Sequence, residues 1–122
     1  MAQYHWEFKT PTEKQAKMTE WQQRDWPAWL KTHLKFPFEA TRTKDEDADA
    51  GLLTLRSPFP VGQRLTVLGL ADSPMNDYEG IVVKVQRGSN KGTVPLADLE
   101  VTPKDNPNYN PAQEFIVYWS SR

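Results

Sequence analysis

The chain contains no cysteine. Disulfides, zinc–thiolate sites and cysteine nucleophiles are thereby excluded. Histidine is scarce: His5 and His33 lie in separate segments, and neither belongs to an HExxH helix motif. No GxSxG elbow is present, and Arg87-Gly-Ser-Asn-Lys-Gly92 lacks the spacing of a Walker phosphate loop. No motif therefore marks an enzyme, and a non-enzymatic role is expected. A surplus of positive charge is also missing. Lys and Arg total 15 against 16 Asp and Glu, for a net charge of -1, which opposes general binding to a phosphate backbone. Long apolar runs are absent. The longest, Ile81-Val-Val83 and Phe115-Ile-Val-Tyr-Trp119, fall far short of the roughly 20 residues that a membrane span needs. The opening MAQYHWEFKT has no apolar h-region, so a cytoplasmic location is expected.

What is present is enough for one compact domain, expected over residues 1–122. Ten prolines and five tryptophans suit a folded, turn-rich chain rather than a disordered one. The charge is unevenly spread. Residues 1–38 hold six bases and four acids, whereas residues 39–100 hold seven bases and ten acids. The near-zero total therefore conceals an acidic middle.

The first third, residues 12–35, reads as helical. Thr12 and Gln15 have capping-box spacing, and Asp25 opens a second helix with Pro27 in its first turn. Trp26, Trp29, Leu30, His33 and Leu34 then share one helix face. On that face His33 is expected to be a partly buried core residue, and Trp21, Trp26 and Trp29 are expected to be core. Pro37 ends the pattern. Residues 37–101 change to a strand period. Strands are expected at 37–43, 52–55, 64–70, 78–85, 93–96 and 99–101, and residues 72–77 are read as a loop. Asp98 and Glu100 flank Leu99 and are expected to face solvent. Short strands with close turns predict a small SH3-like β-barrel. A helix over 111–122, capped by Asn110 with Pro111 behind it, closes the chain; a strand over 115–119 is the alternative. The expected class is α+β.

The carboxylates are the most informative local feature. Asp45, Asp47 and Asp49 occupy every second position, with Glu46 between them. Calcium is a hard cation that takes oxygen ligands from such alternating carboxylates. The run begins like an EF-hand loop and then departs from it. Ala50 stands where the sharp turn needs Gly, and Arg56 where a bidentate Glu belongs. It is either a calcium loop of another architecture or a solvated acidic loop. Asp72 and Asp77, with Asn76, form a second acidic place, which reads equally as an Asx turn.

Several segments in order resemble one family, the cyanobacterial-type, CcbP-like calcium-binding proteins. They are Leu34-Lys-Phe-Pro-Phe-Glu-Ala40, Gly62-Gln-Arg-Leu-Thr-Val-Leu-Gly69, Tyr78-Glu-Gly-Ile-Val-Val83, Val94-Pro-Leu-Ala-Asp-Leu-Glu100, and Asn108-Tyr-Asn-Pro111 with Tyr118, Trp119 and Arg122. The resemblance implies a small protein that binds Ca2+ through surface carboxylates and serves calcium signalling or homeostasis. It implies ligands at Asp45, Glu46, Asp47 and Asp49 after the first strand, and at Asp72 and Asp77 before Tyr78. The family's calcium buffer is markedly acidic and this chain is not, so one or two specific ions are expected rather than bulk buffering. The calcium ion is thus the expected partner, with a protein partner also open. The alternative function is a metal-free protein-interaction module built on the barrel or on the segment bearing Trp6. A single-strand-binding barrel ranks third, because the charge balance makes nucleic acid a poor fit.

Overall fold

The computed structural model describes residues 7–43 and 59–122. The expected strand at 52–55 and Trp6 lie outside the described residues.

The helical part is set by caps. α1 (Pro11–Gln23) begins at Thr10, not at Thr12. The Glu13 N–H donates to the Thr10 hydroxyl at 3.1 Å, and the Glu13 carboxylate reaches back to the Lys9 N–H at 2.8 Å. Pro11 explains the earlier start: its fixed φ suits the first helical position, and the N–H it lacks would have had no partner there. α2 (Trp26–His33) is capped by Asp25 as expected, with the Ala28 N–H donating to its carboxylate at 3.2 Å. Trp26, Leu30 and Leu34 are buried on one face. His33 is exposed, a correction to its expected core position. It closes the helix with its ring stacked on Trp29, centroids 4.0 Å apart. α3 (Tyr109–Ser121) is a helix and not the alternative strand. Its cap position is Asn108 rather than Asn110, and that side chain looks away from the helix. Oδ1 of Asn108 accepts from the Lys35 N–H at 2.6 Å and its Nδ2 donates to the Lys35 carbonyl at 3.2 Å. The start of α3 is thereby tied to the chain leaving α2.

Among the described residues five antiparallel strands follow: β1 (Phe38–Arg42), β2 (Arg64–Asn76), β3 (Gly80–Arg87), β4 (Asn90–Pro95) and β5 (Leu99–Val101). Their spatial order is β4-β3-β2-β1-β5. β3 and β4 form a hairpin around Gly88 and Ser89, with Gly88 at φ +61. A positive φ at the first central residue alone matches the glycine-first hairpin turn. Between β4 and β5 the chain makes one 3-10 turn, Leu96–Asp98.

The expected SH3-like barrel is corrected here: among the described residues the sheet is open, with β4 and β5 as its two edges. β4 stops at Pro95, which has no N–H to extend a ladder, and β5 offers only three residues. The 3-10 turn carries the chain from one edge to the other across the end of the sheet instead. The α+β class stands. A second correction concerns residues 72–77, read as a loop. β2 runs on to Asn76, with irregular pairing between Leu70 and Met75.

One sheet face is apolar. Phe38 and Ala40 of β1, Leu65 and Val67 of β2, Ile81, Val83 and Val85 of β3, Val94 of β4, and Leu99 and Val101 of β5 are buried in one cluster with Trp21, Trp26, Leu30 and Phe115 of the helices. Burying each such aliphatic or Phe side chain contributes about 1.5–3 kcal/mol. Trp21 and Trp26 are core as expected, and Trp29 is half-buried. Among the described residues no helix is long and apolar enough to cross a membrane.

α3 meets the sheet closely at one glycine. Gly80 has φ +72, and a Cβ built on it would stand 2.9 Å from the Trp119 ring. Both the backbone conformation and the space demand glycine there. Gly69 has open space around its Cβ direction and no positive φ. In urea unfolding, Gly80→Ala is therefore expected to lose at least about 1–3 kcal/mol, while Gly69→Ala changes little. Equal effects at the two glycines would contradict this packing.

Candidate metal site

β1 alternates its side chains, so Phe38, Ala40 and Arg42 all point inward. The third of these is a cation. A buried guanidinium is tolerated only when it is paired and hydrogen-bonded. Its partner is Asp98, at the end of the 3-10 turn: Nη2 of Arg42 lies 3.2 Å from Oδ2 of Asp98. Their side chains are only 7% and 5% exposed. The expectation that Asp98 faces solvent is thus corrected. It sits in a 3-10 turn, not a strand, and the turn rotates it inward.

The same pair gathers two distant points of the chain. Nη1 of Arg42 donates to the Phe59 carbonyl at 3.0 Å. The Thr43 N–H and hydroxyl both donate to the Asp98 carbonyl, at 2.7 and 3.0 Å. Thr43 and Phe59, the described residues on either side of segment 44–58, are thereby both bound at one corner. Beside this corner opens a cleft of about 160 Å³ lined by Arg42, Asp98, Glu79, Tyr78, Pro95, Ala97 and Trp119. Sequence reasoning missed Arg42 and Asp98 as site elements. The signal was present in β1, whose apolar alternation ends on Arg.

The residues expected as ligands divide in two. Asp45, Glu46, Asp47 and Asp49 lie outside the described residues. Asp72 and Asp77 are both exposed. Asp72 is on β2 with its carboxylate 3.0 Å from Nζ of Lys84. Asp77 is in the turn between β2 and β3. The neighbouring Asn76 oxygen accepts from the N–H groups of Tyr78 and Glu79, at 2.9 and 2.6 Å. This is the Asx-turn arrangement, in which Asn serves the backbone. Among the described residues, no three His, Cys, Asp or Glu side chains come together as a metal set.

The donor chemistry still selects the kind of ion. There is no thiolate, and Nδ1 of His33 is within 2.7 Å of the Trp29 carbonyl of its own helix. Carboxylates and carbonyls are the prevailing oxygen donors, which fit a hard cation such as Ca2+, and the lack of cysteine leaves a thiophilic metal without thiolates.

Comparison with known proteins gives a family. A family model described as calcium binding, CcbP, matches residues 14–120. The chain belongs to the CcbP calcium-binding family. Two solved structures share its fold. A crystal structure of Anabaena CcbP is 21% identical, with a TM-score of 0.58 and coverage of 98% of this chain and 97% of that one. A calcium-binding protein in its calcium-binding form is 19% identical, with a TM-score of 0.57 and coverage of 93% of each chain. At these identities the likeness carries the fold. No curated protein matches the sequence.

The two ion pairs in this region should differ sharply in worth. Removing one member of a buried pair strands a charge and costs about 3–5 kcal/mol. An exposed pair contributes little. Chemical denaturation of Asp98→Ala is expected to show a loss of that size, and Asp72→Ala almost none. Comparable losses would contradict the burial assigned to the Arg42–Asp98 pair.

Proposed function

We propose that this CcbP-family protein is a non-enzymatic Ca2+ binder, with Asp45, Glu46, Asp47 and Asp49 as the principal ligands. Asp72 and Asp77 form a secondary place, where Lys84 already competes for Asp72. The observation that carries the reading is the family match across residues 14–120.

Physical chemistry supports placing the ligands after β1. Ca2+ takes about six to eight oxygens in flexible geometry. Among the described residues no three carboxylates gather, which favours ligands from segment 44–58. That segment is the densest acidic run in the sequence. The protein's part is to bring carboxylates to one place against their mutual repulsion, which the ion then relieves. Mg2+ demands near-ideal octahedral geometry and gives up water reluctantly, so it binds such a segment more weakly. With a net charge of -1, one or two specific ions suit the chain better than bulk buffering. We place its action in cytoplasmic calcium signalling or homeostasis.

Calorimetric titration of the full chain, first stripped with a chelator, tests this. Saturable Ca2+ binding at one or two sites is expected. Asp45→Asn combined with Asp47→Asn should weaken it at least about tenfold, on the scale of losing first-line oxygen ligands, and Asp72→Asn should weaken it less. No binding at millimolar Ca2+, or full binding by the double variant, would overturn the assignment.

A further inference from the structure

We propose that the sheet face turned away from the helices docks a second copy of this chain, with Glu39 of each copy set against Lys91 of the other. The proposal is independent of where Ca2+ binds.

Strand alternation decides which side chains stand on this face. Leu65, Val67, Val83, Val85 and Val94 pack in the cluster that holds Trp21 of α1, Trp26 and Leu30 of α2, and Phe115 of α3. Their strand neighbours Thr66, Lys84, Gln86 and Thr93 therefore look the other way. Glu39, Lys84, Lys91 and Thr93 are exposed there, and Thr66 and Gln86 are half-buried.

The strand register orders charge across the face. Glu39 of β1 stands opposite Thr66 of β2, Thr66 opposite Gln86 of β3, and Gln86 opposite Lys91 of β4. One row across four strands thus runs from an acid, through a hydroxyl and an amide, to a base. Three strand spacings put its charged ends about 14 Å apart. The surroundings repeat this polarity. Glu100 of β5 lies opposite Thr41 beyond the acidic end, and Lys84 of β3 lies opposite Thr93 towards the basic end. Two of these charges already have partners within the chain: Glu39 is 3.7 Å from Arg64, and Lys84 is 3.0 Å from Asp72. Both pairs are exposed, and such pairs are worth little and exchange easily.

Self-complementarity selects the symmetry. A two-fold axis along the strands, between β2 and β3, lays β1 of one copy over β4 of the other. Glu39 then meets Lys91 at both ends of the row, as a closed, isologous pair requires. An axis across the strands would instead set acid on acid. Facing sheets pack about 10 Å apart, a gap that a Glu and a Lys reaching from opposite sides can bridge. A net charge of -1 leaves little general repulsion between copies. The face is mostly polar, so the pair is weak, and charge sets its partner and its salt dependence.

Sedimentation velocity on the full chain tests this, with a chelator present so that no metal ion bridges two copies. At low ionic strength the wild type is expected to form a reversible dimer between micromolar and millimolar concentration. The dimer should weaken at about 0.5 M salt, where screening acts within a few ångströms. Glu39→Lys and Lys91→Glu each set like charges together and are expected to weaken it at least about tenfold. The two single variants are complementary to each other. Mixed in equal amounts they should form a dimer, and the double variant Glu39→Lys, Lys91→Glu should regain self-association. Both positions are exposed, and circular dichroism checks that each variant is folded. A wild type that stays monomeric at millimolar concentration and low salt would overturn the proposal. So would single variants that dimerise like the wild type, a mixture of the two that stays monomeric, or association that strengthens with salt.

Discussion

A charged residue on the inward face of β1 constrains everything around it. Arg42 follows Phe38 and Ala40 in the core register, where an apolar side chain would ordinarily stand. Taking a guanidinium out of water is costly unless it meets an anion and its donors are satisfied. The chain meets that demand by turning Asp98 inward on a 3-10 turn and by bringing the Phe59 carbonyl back across more than a dozen intervening residues. The end of β1, the return to β2 and the crossover from β4 to β5 therefore converge on one ion pair. Such a pair is weak evidence of net stability, and what it supplies here is a fixed meeting point of three chain segments.

The helical layer has a comparable centre in Arg24, which follows α1. Its guanidinium pairs with Glu20 of α1 and with the buried Glu114 of α3. It also lies over the rings of Trp26 and Trp29, 4.7 and 4.4 Å from their centroids. Stacked cation–aromatic contacts of this kind are worth about 0.5–2 kcal/mol each. One side chain thus joins three helices on the apolar side of the sheet. The Arg42 corner is left to the end of the sheet, where the cleft opens.

Local patterns in the sequence carried much of this. The Asp25 cap, the face of Trp26, Leu30 and Leu34, and the alternation from Phe38 each rest on neighbours a few residues away, and the structure has all of them. The failures have a common physical origin. Closure of a sheet depends on partners distant in sequence, so short strands alone could not distinguish a barrel from an open sheet whose edge ends at Pro95. Asp98 was assigned to solvent because a strand period was applied to it, and a single 3-10 turn reversed its direction. Capping-box spacing alone points to Thr12, whereas Pro11, suited to the first helical position, sets the cap at Thr10. The family resemblance, resting on ordered segments rather than on any one motif, is matched over residues 14–120. Of the expected ligands, the described residues hold only Asp72 and Asp77. Those two show exposed carboxylates, with no third acidic side chain gathered beside them.

The central claim is the proposed one, that Ca2+ binds through Asp45, Glu46, Asp47 and Asp49, in the stretch of chain between Thr43 and Phe59. A calcium titration of the isotopically labelled full chain, followed through its backbone amides and the Arg42 side-chain Nε–H, tests it most directly. The account predicts saturable shifts concentrated at Asp45–Asp49 and carried to Thr43, Phe59 and the Arg42 Nε–H. Shifts centred on the hairpin around Asp72 and Asp77, with that corner unmoved, would contradict it.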